Sequence, residues 1–162
     1  MDAKTDAVRP AASRRDAIDA VDRKLLGLLS EDATLSYADL GARVNLSAPA
    51  VHERVRKLRR IGAIRRTTLD LDGAVLGRPL LAFVHVDTTG WGKSSAMLAL
   101  RADPRVEELH SVTGDACMIL KVRCAGTVDL EELLHAIYEV PGVKGTRSYV
   151  ALQSYLERGP QP

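Results

Sequence analysis

Apolar residues recur at helical spacing in DAIDAVDRKLLGLLSED, where Ile18, Val21, Leu25, Leu28 and Leu29 fall on one side of a helix. A second helix begins at Ser36, with Asp39 three positions on as a near capping box, and turns Leu40 and Val44 inward. Asn45 suits the left-handed conformation that ends it. Ser47 then caps a third helix that tolerates Pro49 in its first turn and aligns Val51, Val55 and Leu58 as one buried stripe. Two helices joined by so short a turn form a helix-turn-helix, winged-helix-like in this setting.

Beyond it the period changes. AIRRTTLDLD and GAVLGRP read as a short strand and connector. LLAFVHVDTT alternates, placing Leu80, Ala82, Val84 and Val86 on one face. GKSSAMLALRAD is helical and stops at Asp103-Pro104. VEELHSVT and ACMILKVR are strands joined by Gly114-Asp115, a two-residue hairpin signal. TVDLEELLHAIYEV is an amphipathic helix through Leu130, Leu133, Leu134 and Ile137, and TRSYVALQSYLE is a last strand. The order βαββαβ predicts a ferredoxin-like domain, so the fold class is α+β. Helices cover one face of such a sheet. Val84 and Val86, with apolar residues of the last strand, are expected to meet a second subunit on the other.

Composition narrows the function classes. The 162 residues are 46% hydrophobic with a net charge of +2, and no apolar run approaches the ~18 residues of a membrane span. The N-terminal stretch, residues 1–15, has no signal-peptide core and reads as a disordered arm, so the chain is expected in the cytoplasm. Cys117 and Cys124 lack metal-ligand spacing and read as reduced thiols, and His85, His110 and His135 sit on separate elements with no triad pattern. Trp91, in the TTGWGKSS loop, packs either on a neighbouring subunit or on a ligand.

The small net charge hides a concentration: residues 36–66 carry +6, against −1 before and −3 after. That imbalance marks a nucleic-acid face. Opposite the buried stripe of the third helix stand Pro49, His52, Glu53, Arg56, Lys57 and Arg60. Ser47, Pro49, His52, Arg56, Lys57 and Arg60 are the candidate contacts to double-stranded DNA, the amino-terminal ones to base edges and the cations to phosphates. Arg54, nearer the stripe's edge, is expected to hold an internal acidic partner.

A helix-turn-helix followed by βαββαβ resembles the Lrp/AsnC family of feast/famine regulators. The resemblance runs from about Asp16 to Glu157 and is carried by DAVDRKLLGLLSEDATLSYADLGARVNLSAPAVHERVRKLRRIGAI, VTGDACMILKV and PGVKGTRSYV. It implies a homodimer, assembling further to a tetramer or octamer, and an effector that is an amino acid or related small molecule, with no cofactor. It places the effector at Thr113, Gly114 and Asp115, with Ser148 facing the same region from the last strand. Read from the residues alone, Gly114-Asp115 is either this contact or simply a good hairpin turn. Cys117 departs from the aspartate or aromatic common in relatives and reads as a packing residue. The expected organisation is an arm over 1–15, a DNA-binding domain over 16–66, a linker over 67–79, an effector and assembly domain over 80–157 and a tail over 158–162. Some tetrapyrrole decarboxylases share the scaffold, but that enzymatic alternative calls for a recognition helix stripped of its basic face.

Overall fold

The structure, a computed structural model, describes residues 18–89 and 94–162. The arm and Trp91 lie outside these residues. The chain divides into two compact units, one holding the described residues up to Leu69 together with 158–162, the other Asp70–Glu157.

The first unit is three helices, α1 (Ala20–Glu31), α2 (Tyr37–Val44) and α3 (Ala48–Arg60). A reciprocal capping box starts α1, with Asp19 accepting the Asp22 N–H and Asp22 accepting the Asp19 N–H. Ser36 caps α2, and Asn45 ends it at φ 55°, ψ 46°. Ser47 occupies the N-cap of α3 with extended backbone but makes no side-chain capping bond, which corrects the expectation; Pro49 fills the first turn as foreseen. The tight turn depends on Gly41, whose α-carbon is so close to the Leu46 carbonyl that a β-carbon there would collide with its oxygen. Leu25, Leu40, Val44, Val51 and Val55 form the core.

The second unit is β1 (Leu80–Thr88), α4 (Ser95–Ala99) with a following 3-10 turn, β2 (Val106–Ser111), β3 (Met118–Cys124), α5 (Thr127–Tyr138) and β4 (Val143–Val150). The sheet runs β2-β3-β1-β4, antiparallel throughout, the ferredoxin-like order. Its core lies under the helices, where Ala82, Val84, Val86, Met118, Leu120 and Val122 meet Met97, Leu130, Leu133 and Ile137.

Four expectations are corrected here. Val84 and Val86 are fully buried in this core, so the uncovered face is the opposite one, carrying Phe83, His85, Ile119, Lys121, Arg147 and Tyr149. Residues 65–72 form no strand: they pair with none of the four strands, β1 is flanked on both sides by β3 and β4, and Leu69 and Leu71 stay exposed. The β2–β3 connection spans 112–117, because the last ladder pair is Ser111 with Met118 and the Val112 N–H donates to the Cys117 carbonyl at 3.2 Å. β4 starts and ends earlier than its pattern suggested. Past the Ala151 N–H, which donates to the Leu81 carbonyl at 2.9 Å, β1 offers no further partner, and Pro79 has no N–H to give.

Candidate functional site

Among the described residues, each unit presents a candidate site. On α3, Val51, Val55 and Leu58 are buried while Pro49, His52, Glu53, Arg56, Arg59 and Arg60 are exposed. The helix is fixed at its edge by charge as well as by packing. Asp22 of α1, fully buried, accepts Arg54 Nη1 at 2.8 Å and Lys57 Nζ at 3.0 Å. Arg54 Nη1 also reaches Asp19 at 2.6 Å, which supplies the acidic partner expected of it. Burial alone would push the Asp22 carboxyl up, but bonds from Arg54, Lys57 and the Asp19 N–H more than offset this and hold it below its ordinary range. The Arg54 bond likewise lowers Asp19.

Of the six candidate DNA contacts, Pro49, His52, Arg56 and Arg60 are exposed on one face of α3, and Ser47 is exposed at its N-cap. Lys57 turns partly inward to Asp22 yet still lines an open hollow with Glu53, Arg56 and Arg60. Arg56 lies 3.0 Å from Glu53, an exposed pair of one helical turn. Three cations in the last turn, Lys57, Arg59 and Arg60, suit the negative end of the helix dipole, and Arg65 and Arg66 continue the basic track. Asp22 was missed by sequence reasoning; its signal is a position three residues before the buried Leu25, on the inward side of α1.

In the second unit, a hollow of about 320 Å³ on the uncovered sheet face is lined by the loop from Val112 to Ala116 together with His85, Ile119, Arg147 and Tyr149. Thr113, Gly114 and Asp115 all line this hollow. Gly114 has φ 113°, which favours glycine, and a β-carbon would meet nothing within 4 Å. Arg147 Nη2 donates to the Asp115 carbonyl at 3.2 Å and lies 3.6 Å from Asp87, so β4 braces the loop. The His85 and Tyr149 rings lie 4.9 Å apart on the floor, their planes inclined at 56°. Ser148 does not face this region. It pairs with Val84 on the helix-covered side, since neighbours along a strand point to opposite faces. The same alternation, read from β4, points to Arg147 and Tyr149 as the residues missed. With a guanidinium, a carboxylate, a hydroxyl and two aromatic rings, the hollow can hold a small zwitterion by both charged ends.

Cys117 sits outside the lining, half-buried against the core with Sγ 3.9 Å from the Thr88 carbonyl, while Cys124 is buried. His110 pairs with Glu108 at 2.8 Å and His135 is exposed on α5. No group of three His, Cys, Asp or Glu among the described residues could hold a metal ion, and no described helix is long and apolar enough to cross a membrane.

Residues 18–59 match the AsnC-type helix-turn-helix domain and residues 81–161 the Lrp/AsnC ligand binding domain. The HTH-type transcriptional regulator FL11 of Pyrococcus horikoshii is 31% identical over 143 residues, 88% of this chain and 95% of its own. The leucine-responsive regulatory protein of Haemophilus influenzae is 34% identical over 145 residues, 86% of this chain and 87% of its own. Among solved structures, E. coli AsnC superposes with a TM-score of 0.83 at 26% identity, covering 90% of this chain and 99% of its own. A feast or famine regulatory protein from M. tuberculosis, complexed with L-methionine, does so with a TM-score of 0.82 at 31% identity, covering 90% and 100%. The chain belongs to the Lrp/AsnC family, and it is a DNA-binding transcription regulator that responds to a small-molecule ligand.

Proposed function

We propose that this regulator reads double-stranded DNA through Ser47, Pro49, His52, Arg56, Lys57 and Arg60, and that an amino acid or close relative is the effector, bound beside Thr113, Gly114 and Asp115 with Arg147 and Tyr149 in the role expected of Ser148. The observation that carries the reading is the exposed basic face of α3, held in place by a buried carboxylate rather than left to solvent. An α-ammonium calls for an acidic group such as Asp115 and an α-carboxylate for a donor such as Arg147, and a similar regulator was solved with L-methionine. Neither a cofactor nor an enzymatic step enters this reading. The working form is a homodimer or a larger even assembly in the cytoplasm, built through the uncovered sheet face, where Phe83 and Tyr149 remain exposed.

Binding measured against salt tests the DNA half. If each subunit neutralises about three to five phosphates, a dimer gives a log–log slope of roughly −5 to −9. Arg56→Ala and Arg60→Ala then weaken all sequences alike, whereas Pro49→Ala or His52→Ala changes which sequence is preferred. A slope near zero would sink the assignment.

A further inference from the structure

An aromatic ring stands behind His52. Tyr37, the first residue of α2, is half-buried against the core that holds Leu25 and Val55, and its ring centroid lies 5.3 Å from that of His52 with the planes inclined at 57°. Aromatic rings attract at this tilt and spacing. His52 is otherwise exposed on the outward face of α3. A free side chain there would sample several rotamers and surrender them on docking; one already packed against a fixed ring surrenders less.

The geometry points to Tyr37 as a positioning residue for sequence readout, holding the His52 imidazole in one orientation for a base edge in the major groove. This rests on the reading that α3 enters that groove. A neutral imidazole carries one N–H donor and one acceptor nitrogen. The matching partner is the N7 acceptor that every purine shows in the major groove, and guanine adds O6 beside it. On the strand facing His52 the protein therefore prefers guanine, whose N7 and O6 offer the imidazole N–H two acceptors where adenine N7 and thymine O4 each offer one. Tyr37 acts without touching DNA itself. It is held from below by the core of its own unit, so it transmits rigidity to a residue whose own backbone sits on another helix.

The test is a selection from randomised DNA by the full-length protein, with affinities for the enriched site and its single-base variants. His52→Ala is expected to flatten the preference at one base pair by about 2–12-fold, the range of one hydrogen bond. Tyr37→Leu, which keeps apolar volume but removes the ring, should flatten the same pair by about 2–5-fold through the freed rotamers. Tyr37→Phe should retain the wild-type preference, and Tyr37→Leu should add nothing once His52 is alanine. Should Tyr37→Leu fail to fold, Tyr37→Met takes its place with the same expectations. A folded ring-less variant whose selected sequence equals that of wild type overturns the proposal, as does one that loses affinity for all sequences equally. If wild type itself selects no sequence while Arg56→Ala still weakens binding, the base-reading assignment of α3 falls and the inference with it.

Discussion

Asp22 is an aspartate with no access to water, enclosed by two cations that its own helix does not supply. Replacing the carboxylate with an amide leaves Arg54 and Lys57 facing a neutral group. Asp22→Asn should therefore destabilise the first unit by about 1–3 kcal/mol at neutral pH, measured by urea unfolding. The sign of its pH dependence follows from the lowered carboxyl. The folded protein takes up that proton only below the ordinary aspartate value of 3.8, so the contribution is fully present above it and fades as pH falls through and beneath it. The gap between wild type and variant should close as pH is taken from about 5 to below 3; a gap constant over that range would show that the carboxylate's charge is not the stabilising feature. In the other unit, Arg147→Ala and Asp115→Ala each remove one charged group from the hollow. Each should weaken the effector by about 10–150-fold if a charge-assisted bond of about 1.5–3 kcal/mol is lost. Calorimetric titration with an amino acid found by thermal-shift screening reads this out, and unchanged affinity in folded variants would reduce the hairpin to a plain turn.

The α2–α3 turn stands on a close approach of backbone to backbone at Gly41. Gly41→Ala forces a β-carbon against the Leu46 carbonyl oxygen and should cost about 1–3 kcal/mol in strain. Operator affinity should fall with it, because the turn sets the start of α3; a variant with wild-type melting temperature and DNA affinity would contradict this. Most elements were legible in the sequence because they rest on local physics. The stripe of Val51, Val55 and Leu58, the cap at Ser36 and the left-handed Asn45 need no knowledge of the rest of the chain. What escaped depends on pairing. Alternation shows that Val84 and Val86 share a face, but not whether that face meets α5 or another molecule. The strand pattern of 63–72 is sound, yet a strand requires a paired neighbour, and among the described residues this segment pairs with none. Ser148 and Arg147 differ only in parity, and register across β1 settles which of them reaches the hollow. A two-residue turn at Gly114-Asp115 fits the sequence equally well as a wider loop; the pairing of Ser111 with Met118 decides for the loop.

At the scale of the molecule, two stretches of the chain carry opposite charge, +6 over residues 36–66 and −3 over 67–162. The second has its own core, so a fragment of residues 70–157 should fold alone. Its uncovered sheet face exposes Phe83 and Tyr149 around the paired charges of Lys121, Arg123, Glu107 and Glu157. Burying apolar area there stabilises association by about 25 cal/mol per Å², so the fragment should sediment as a dimer or larger at micromolar concentration. A stable monomer would place the assembly surface elsewhere. The divided labour on α3 has a further consequence. Its attachment uses Val51, Arg54, Val55, Lys57 and Leu58, while Pro49, Glu53 and Arg56 bear almost none of the fold's weight. The helix is in effect a fixed mount with an exchangeable address plate. On the proposed reading of DNA, a lineage can drift to new operators, or an engineer can retarget the protein, by editing a base-facing position such as Pro49 while Arg56 keeps its hold on phosphate and stability stays within a few tenths of a kcal/mol, about what surface substitutions ordinarily change.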